Sequence, residues 1–208
     1  MSLKTRYYIL RTIAGIRYLR YFPQMLPASV FYFMLSGKRK EQLREDIDAF
    51  YRIEYQAKRL SDFTAFYRLM VEYNAFRNVF YYRLWRFSDM ISWFMPKCKT
   101  LEIRSLTVGG GIYIQHGVST QIAAMSVGKN LFINQNVTVG WSGPGCPVIG
   151  NNVRIGTGAV VLGPITIGDN VNIGANAIVT KNVPGNTTVV SPHAYICKRD
   201  GKRVHEEL

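Results

Sequence analysis

The sequence predicts an α+β chain, with a helical N-terminal region over residues 1–100 and a prism of short parallel strands over residues 101–190. Two periodicities and one punctuation pattern carry this. Apolar residues fall three and four apart in the first half and six apart in the second, where Gly, Asn and Asp recur at the same interval. With 208 residues and 48% apolar content, the chain is long enough for one full domain and a smaller one.

The helical half rests on "QLREDIDAFYRI" (42–53) and "FTAFYRLMVEYNAFRNVFYYRLWRF" (63–87), neither of which contains Gly or Pro. Ser61 stands as the N-cap of the second, supported by Asp62. Phe66, Tyr73, Phe76, Phe80 and Trp85 form a candidate packing face, and Pro96 closes the half. Ahead of these lies "YFPQMLPASVFYFMLSG" (21–37), 17 uncharged residues holding Pro23 and Pro27. A membrane span needs roughly 20 apolar residues, so this stretch is expected to lie on a surface or pack, not to span. Arg and Lys interrupt the first twenty residues, which argues against a signal peptide. A cytoplasmic protein is expected, with contact to the inner membrane open.

Charge is uneven. Net charge is +13, and residues 1–40 carry eight Lys/Arg (Lys4, Arg6, Arg11, Arg17, Arg20, Lys38, Arg39, Lys40) with no acid. Residues 101–208 hold eight Lys/Arg against five acids. A basic, aromatic N-terminus suits an anionic partner such as a membrane surface, a phosphorylated substrate or nucleic acid. A solvated face with subunit contacts explains the same charges. No groove-reading motif accompanies them, so nucleic acid is not expected. The three cysteines, Cys98, Cys146 and Cys197, have no CxxC pairing, and neither a disulfide framework nor a metal site is indicated.

In the second half Ile149, Ile155, Val161, Ile167, Ile173 and Val179 stand six apart, and Val127, Ile133 and Val139 continue the period upstream, as do Val108 and Ile114. Gly follows directly at 109, 128, 140, 150, 156, 168 and 174, and the fourth residue on is small or branched. This period suits three short strands per 18-residue coil, joined by tight turns whose Gly, Asn and Asp tolerate positive φ. One coil cannot bury its own face, so four to five must stack. The period breaks twice: a one-residue slip after "IQHGVST", and four extra residues within "GWSGPGCPVIG". Both flank "YIQHG" (113–117), and insertions in solenoids map to loops on one face, often the working face. The residues alone leave His116 open between a general base and a turn histidine.

The motifs "GGGIYIQHG", "SVGKNLFINQNVTVG" and "IGNNVRIGTGAVVLGPITIGDNVNIGANAIVTKNVP", over roughly residues 101–195, resemble the hexapeptide-repeat acyltransferases, whose fold is a left-handed parallel β-helix. Within them the sequence is similar to the serine acetyltransferase branch. "FRNVFYYRLWRF" resembles the entry helix of polysaccharide-modifying members. The resemblance implies a homotrimer with active sites between neighbouring prisms, acetyl-CoA as donor, no metal, and direct transfer to a hydroxyl. It places the general base on His116, which takes the proton of a poorly nucleophilic hydroxyl as it attacks the thioester. It places the carboxylate that holds the other ring nitrogen on Glu102 in "LEIRS". Donor-binding positions carried over are Gly156, Thr157, Gly158, Gly174 and Ala175, with Lys181, Lys198 and Arg199 as candidates for the phosphates. Gln115, Gln135, Trp141 and Cys146 fall on the acceptor side.

Departures bear on the acceptor. An aspartate precedes the histidine in serine acetyltransferases, and here it is Gln115; their "RHP" is here "GCP" (145–147). The groups that would grip a zwitterion are missing, so a sugar of a cell-surface polysaccharide precursor is the expected acceptor, with serine as the alternative. A non-catalytic scaffold would leave His116 idle. The usual "GVPA" closing is "VSPHA" (190–194), and His193 and His205 read as structural or solvated.

Overall fold

The computed structural model describes residues 3–56, 61–192 and 194–207. His193 and the side chains of Lys4, Arg6, Arg11 and Arg17 lie outside the described residues.

The helices of the first half are α1 (Leu3–Met34), α2 (Gly37–Phe50), α3 (Asp62–Glu72), α4 (Asn74–Leu84) and α5 (Ser88–Ser92). α1 continues through Pro23 and Pro27, and α2 runs on into a π-helical turn at Tyr51–Tyr55. Ser61 caps α3, its hydroxyl accepting the Thr64 N–H at 3.2 Å. The stretch 63–87, uniform in sequence, breaks at Tyr73, whose φ of −122° and ψ of 106° are extended. Arg77 makes the break tolerable: its guanidinium donates to the Met70, Val71 and Pro96 carbonyls at 2.6, 3.0 and 2.7 Å, satisfying groups that the end of α3 leaves open. Phe66, Phe76 and Phe80 are buried as expected. Trp85 is not: it ends α4 at φ +59° and points outward. Among the described residues no helix is long and apolar enough to cross a membrane.

The second half is a left-handed parallel β-helix of about five turns. β1 (Leu101–Ile103), β2 (Thr107–Val108) and β3 (Tyr113–Ile114) form the first coil. The second holds β4 (Thr120–Ile122), β5 (Ser126–Val127) and β6 (Phe132–Ile133). The third holds β7 (Thr138–Gly140), β8 (Val148–Ile149) and β9 (Arg154–Ile155), and the fourth β10 (Val160–Leu162), β11 (Thr166–Ile167) and β12 (Asn172–Ile173). β13 (Ile178–Val179) and β14 (Thr188–Val189) begin the fifth. Equivalent strands pair in parallel, giving a first sheet β1-β4-β7-β10-β13, a second β2-β5-β8-β11 and a third β3-β6-β9-β12-β14. Every six-period apolar residue points inward, and so do Val137, Val153, Ala159, Ile165, Val171, Ala177 and Val183 four positions on.

The punctuating residues divide the work differently from the expectation. Positive φ falls at asparagines such as Asn130, Asn152, Asn170 and Asn176, and at glycines other than those that follow the apolar residues, Gly111 and Gly158 among them. The glycines that follow the apolar residues answer to close stacking: a Cβ at Gly109 would sit 2.5 Å from the Gly128 oxygen of the next coil. Residues 195–207, expected as a tail, form an antiparallel hairpin of β15 (Tyr195–Arg199) and β16 (Lys202–Glu207). His205 packs its ring on Tyr195 there, with centroids 4.1 Å apart.

Helices and prism meet around one buried ion pair. Arg83 of α4 donates to both oxygens of Asp46 of α2 at 2.9 and 3.1 Å and to the carbonyls of Val108 and Gly109 at 2.6 Å each. Asp46 in turn accepts the Gly111 and Ile112 N–H groups at 2.8 and 3.0 Å. Burial pushes the Asp46 carboxyl up, against the pull of the guanidinium and the two amides. Removing one partner of such a pair strands a buried charge, at a cost of about 3–5 kcal/mol. Asp46→Ala is therefore expected to lose that much in urea unfolding, and the double variant Asp46→Leu with Arg83→Met to lose less.

Candidate active site

His116 lies on the corner where the chain passes from the third sheet to the first. At the equivalent corner of the next coil Ile133 and Val139 are six residues apart, whereas Ile114 and Ile122 on either side of His116 are eight apart. From Ile122 to Val127 the interval is five. The single slip in the sequence is thus two residues gained at the histidine corner and one lost at the next. The enlarged corner projects His116, exposed and at φ +65°, from a rigid base.

That base is held from both ends. Upstream, the Asp46–Arg83 pair fixes Gly109–Ile112, and Tyr113 donates its phenol to Glu54 at 2.5 Å, with Tyr73 on the same carboxylate at 3.1 Å. Burial and the Glu54 carboxylate push the Tyr113 phenol up, so it stays protonated as the donor. Downstream, Asn78 of α4 bonds the Cys98 N–H and the carbonyls of Cys98 and Leu101 at 2.8, 3.0 and 2.8 Å. The 98–101 segment holds the corner in turn: the Thr100 hydroxyl accepts the Ser119 N–H at 3.2 Å, and its carbonyl accepts the Thr120 N–H at 3.0 Å. Gly117, at φ +68°, fits under Leu101 and Ala75, where a Cβ would lie 3.0 and 3.3 Å from their side chains.

Strand register places Gln115, Asn134, Gly156 and Gly174 in one column at the start of successive corners. The next column down the same edge is His116, Gln135, Thr157 and Ala175. The N–H groups of Gly156, Gly158 and Gly174 are already used, bonded to Ile173, Gln135 and Val189 carbonyls at 2.7, 3.3 and 2.8 Å. Among the described residues those of Gln135, Thr157 and Ala175 have no recorded acceptor. The free donors therefore fall on Thr157 and Ala175 among the donor positions expected from the sequence, and on Gln135, rather than on the glycines. Asn134, which the sequence reading passed over, keeps its amide oxygen buried without a partner at this edge. Its only sequence signal was its place after Ile133 in the repeat.

Other expected residues lie elsewhere in the chain. Trp141 and Cys146 sit on the four-residue insertion at the corner from the first sheet to the second, where Ser142 and Gly145 bridge. Trp141 is exposed and Cys146 buried. Lys181 follows β13 on that second corner. Lys198 is on the C-terminal hairpin opposite Arg203, and Arg199 beside it pairs with Glu206. Glu102 faces outward from β1, where its carboxylate meets Arg104 at 2.9 Å and Gln121 at 3.5 Å. Among the described residues no bond links Glu102 to His116. A groove of about 490 Å³ between α4 and β1 is lined by Tyr82, Trp85, Lys97, Lys99, Glu102 and Arg104, and His116 is not part of it. No cluster of three metal-ligating side chains occurs among the described residues.

Gly117→Ala is expected to lower the unfolding free energy by about 1–3 kcal/mol, since it adds a crowded Cβ to a left-handed backbone. Gly143→Ala, with φ +63° but nothing within 4 Å, isolates the backbone share. Equal losses in a melting comparison would mean that Leu101 and Ala75 do not constrain the corner.

Residues 146–181 match the family described as bacterial transferase hexapeptide (six repeats). A serine acetyltransferase of Staphylococcus xylosus is 44% identical over 102 residues, which are 47% of this chain and 47% of that protein. The mitochondrial serine acetyltransferase 3 of Arabidopsis thaliana is 38% identical over 107 residues, 49% of this chain and 27% of that one. Among solved structures, serine acetyltransferase isoform 3 of Entamoeba histolytica in complex with cysteine superimposes with a TM-score of 0.59 at 26% identity, covering 78% of this chain and 62% of that one. The chain spans about half the length, or less, of the curated relatives it matches. It carries a hexapeptide-repeat left-handed β-helix similar to that of serine acetyltransferases.

Proposed function

We propose that the chain is an acetyl-CoA-dependent O-acetyltransferase with His116 as general base. One observation carries the reading: a projecting histidine heads the column in which Gln135, Thr157 and Ala175 leave their N–H groups unbonded. The amide-bearing arm of acetyl-CoA is a ligand suited to such a row of backbone donors, and the row leads to the histidine. The imidazole takes the acceptor's hydroxyl proton as that oxygen bonds to the thioester carbonyl carbon. The C–S bond then breaks, and the sulfur leaves with the proton the imidazole carried.

The similarity to serine acetyltransferases supports L-serine as the acceptor, the reading that the sequence placed second. The comparisons give a polysaccharide acceptor no support. Gln115 and the "GCP" turn still favour a neutral, hydroxyl-rich acceptor over a zwitterion, so sugars belong in the same assay. The reading includes a homotrimer: the histidine corner and the corner bearing Trp141, Cys146 and Lys181 stand on opposite edges of the first sheet. A threefold arrangement would bring one corner against its neighbour's other.

CoA release from acetyl-CoA with L-serine and with a sugar panel tests the proposal. His116→Ala is expected to lower kcat about 10²–10⁴-fold with little change in KM for acetyl-CoA. Glu102→Gln is expected to cost less than about tenfold, in keeping with its bonds to Arg104 and Gln121. Undiminished turnover in His116→Ala would remove the base assignment. Ala175→Glu, an exposed change at the foot of the row, is expected to raise KM for acetyl-CoA and leave the melting temperature alone.

A further inference from the structure

α1 is apolar on two sides. Met25, Ala28 and Tyr32 enter the core, while Leu19, Phe22, Leu26, Val30 and Phe33, spaced three and four apart, form a stripe on the opposite side that is 51–74% exposed. A helix that is apolar all round is ordinarily buried, so the outer stripe needs a cover. A second exposed apolar group follows α4: Phe87, Met90, Phe94 and Trp93, the last 86% exposed. Phe31, a partly buried residue on another side of α1, packs on Phe87 with ring centroids 5.0 Å apart and so sets the second group beside α1. Exposed large apolar side chains clustered in this way on neighbouring segments mark an interaction surface.

Charge identifies the cover. Arg20, Lys38, Arg39 and Lys99 are exposed near these segments, and residues 1–40 contain no acid. Asp89, the carboxylate within α5, pairs with Lys97 at 3.7 Å. A second copy laid on this face would bring two strongly cationic surfaces together, on a chain of net charge +13. A lipid bilayer with anionic headgroups meets both demands, taking Phe and Trp at the headgroup level and attracting Lys and Arg. We propose that the outer stripe of α1, together with the Phe87–Phe94 segment, is a docking face for an anionic membrane surface, on which the protein lies without spanning it. This inference does not depend on acetyl transfer.

The test is co-sedimentation of the full chain with vesicles of phosphatidylcholine alone or containing about 30 mol% phosphatidylserine, in about 0.1 M salt. Wild type is expected to partition on the order of tenfold more onto the anionic vesicles, and less as salt rises. Phe22→Glu with Val30→Glu, both on the exposed stripe, should lose that binding while circular dichroism, melting temperature and turnover on a soluble acceptor stay as in wild type. Equal partitioning onto both vesicle types, or binding unchanged in the double variant, would overturn the proposal. So would a lipid-free double variant of lower sedimenting mass than wild type, because the stripe would then be covering a second copy.

Discussion

A carboxylate and a guanidinium closed off from water hold the helices and the first coil in one frame. Between them, Asp46 and Arg83 satisfy two carbonyls and two amide hydrogens of residues 108–112, backbone that the end of a solenoid would otherwise leave unpaired. A pair of this kind contributes little net stability, since desolvation offsets much of the attraction. Its value is in register. Shifting α4 along the prism would unpair both ions at once, so the helices have one seat.

Everything at the histidine corner inherits that register. α4 reaches the prism at Arg83, through the Val108 and Gly109 carbonyls ahead of His116, and at Asn78, which holds the 98–101 segment whose Thr100 bonds Ser119 and Thr120 beyond it. The corner is longer than its equivalents by two residues, so the coil beneath, bonded to it at Gln115, Val118 and Thr120, does not dictate its shape alone. The helical half supplies the constraint that the repeat cannot. This gives the aromatic N-terminal half a structural reason to exist independent of any partner it meets.

Most of the prism was legible because its physics is local and repeated. An inward residue every six positions, a small one four later and a glycine between them are each imposed by the coil below, so one sequence displays the rule many times. What it concealed was single-copy. Position 73 carries no Gly or Pro, and only Arg77, reaching three carbonyls, shows why a helix stops there. Glu102 sits near the expected place in sequence, yet its strand turns the carboxylate toward Arg104. Of the expected donor contacts, Thr157 and Ala175 keep unbonded amides while the glycines at 156, 158 and 174 spend theirs on the ladder, a division that is invisible until the register is known.

The row of amides down the histidine edge also acts as a ruler. Each coil adds one rung of about 4.8 Å, the spacing between paired strands. The helical cap grips the first coil and, through the Glu45–Lys129 ion pair, the second, so the reach of the groove is counted from that fixed end. Inserting or deleting a whole 18-residue coil below His116 would leave the cap, the corner and the packing rule intact and change only the length of molecule the edge can measure. A solenoid capped at one end separates where chemistry happens from how long a donor it accommodates, and each can vary without the other.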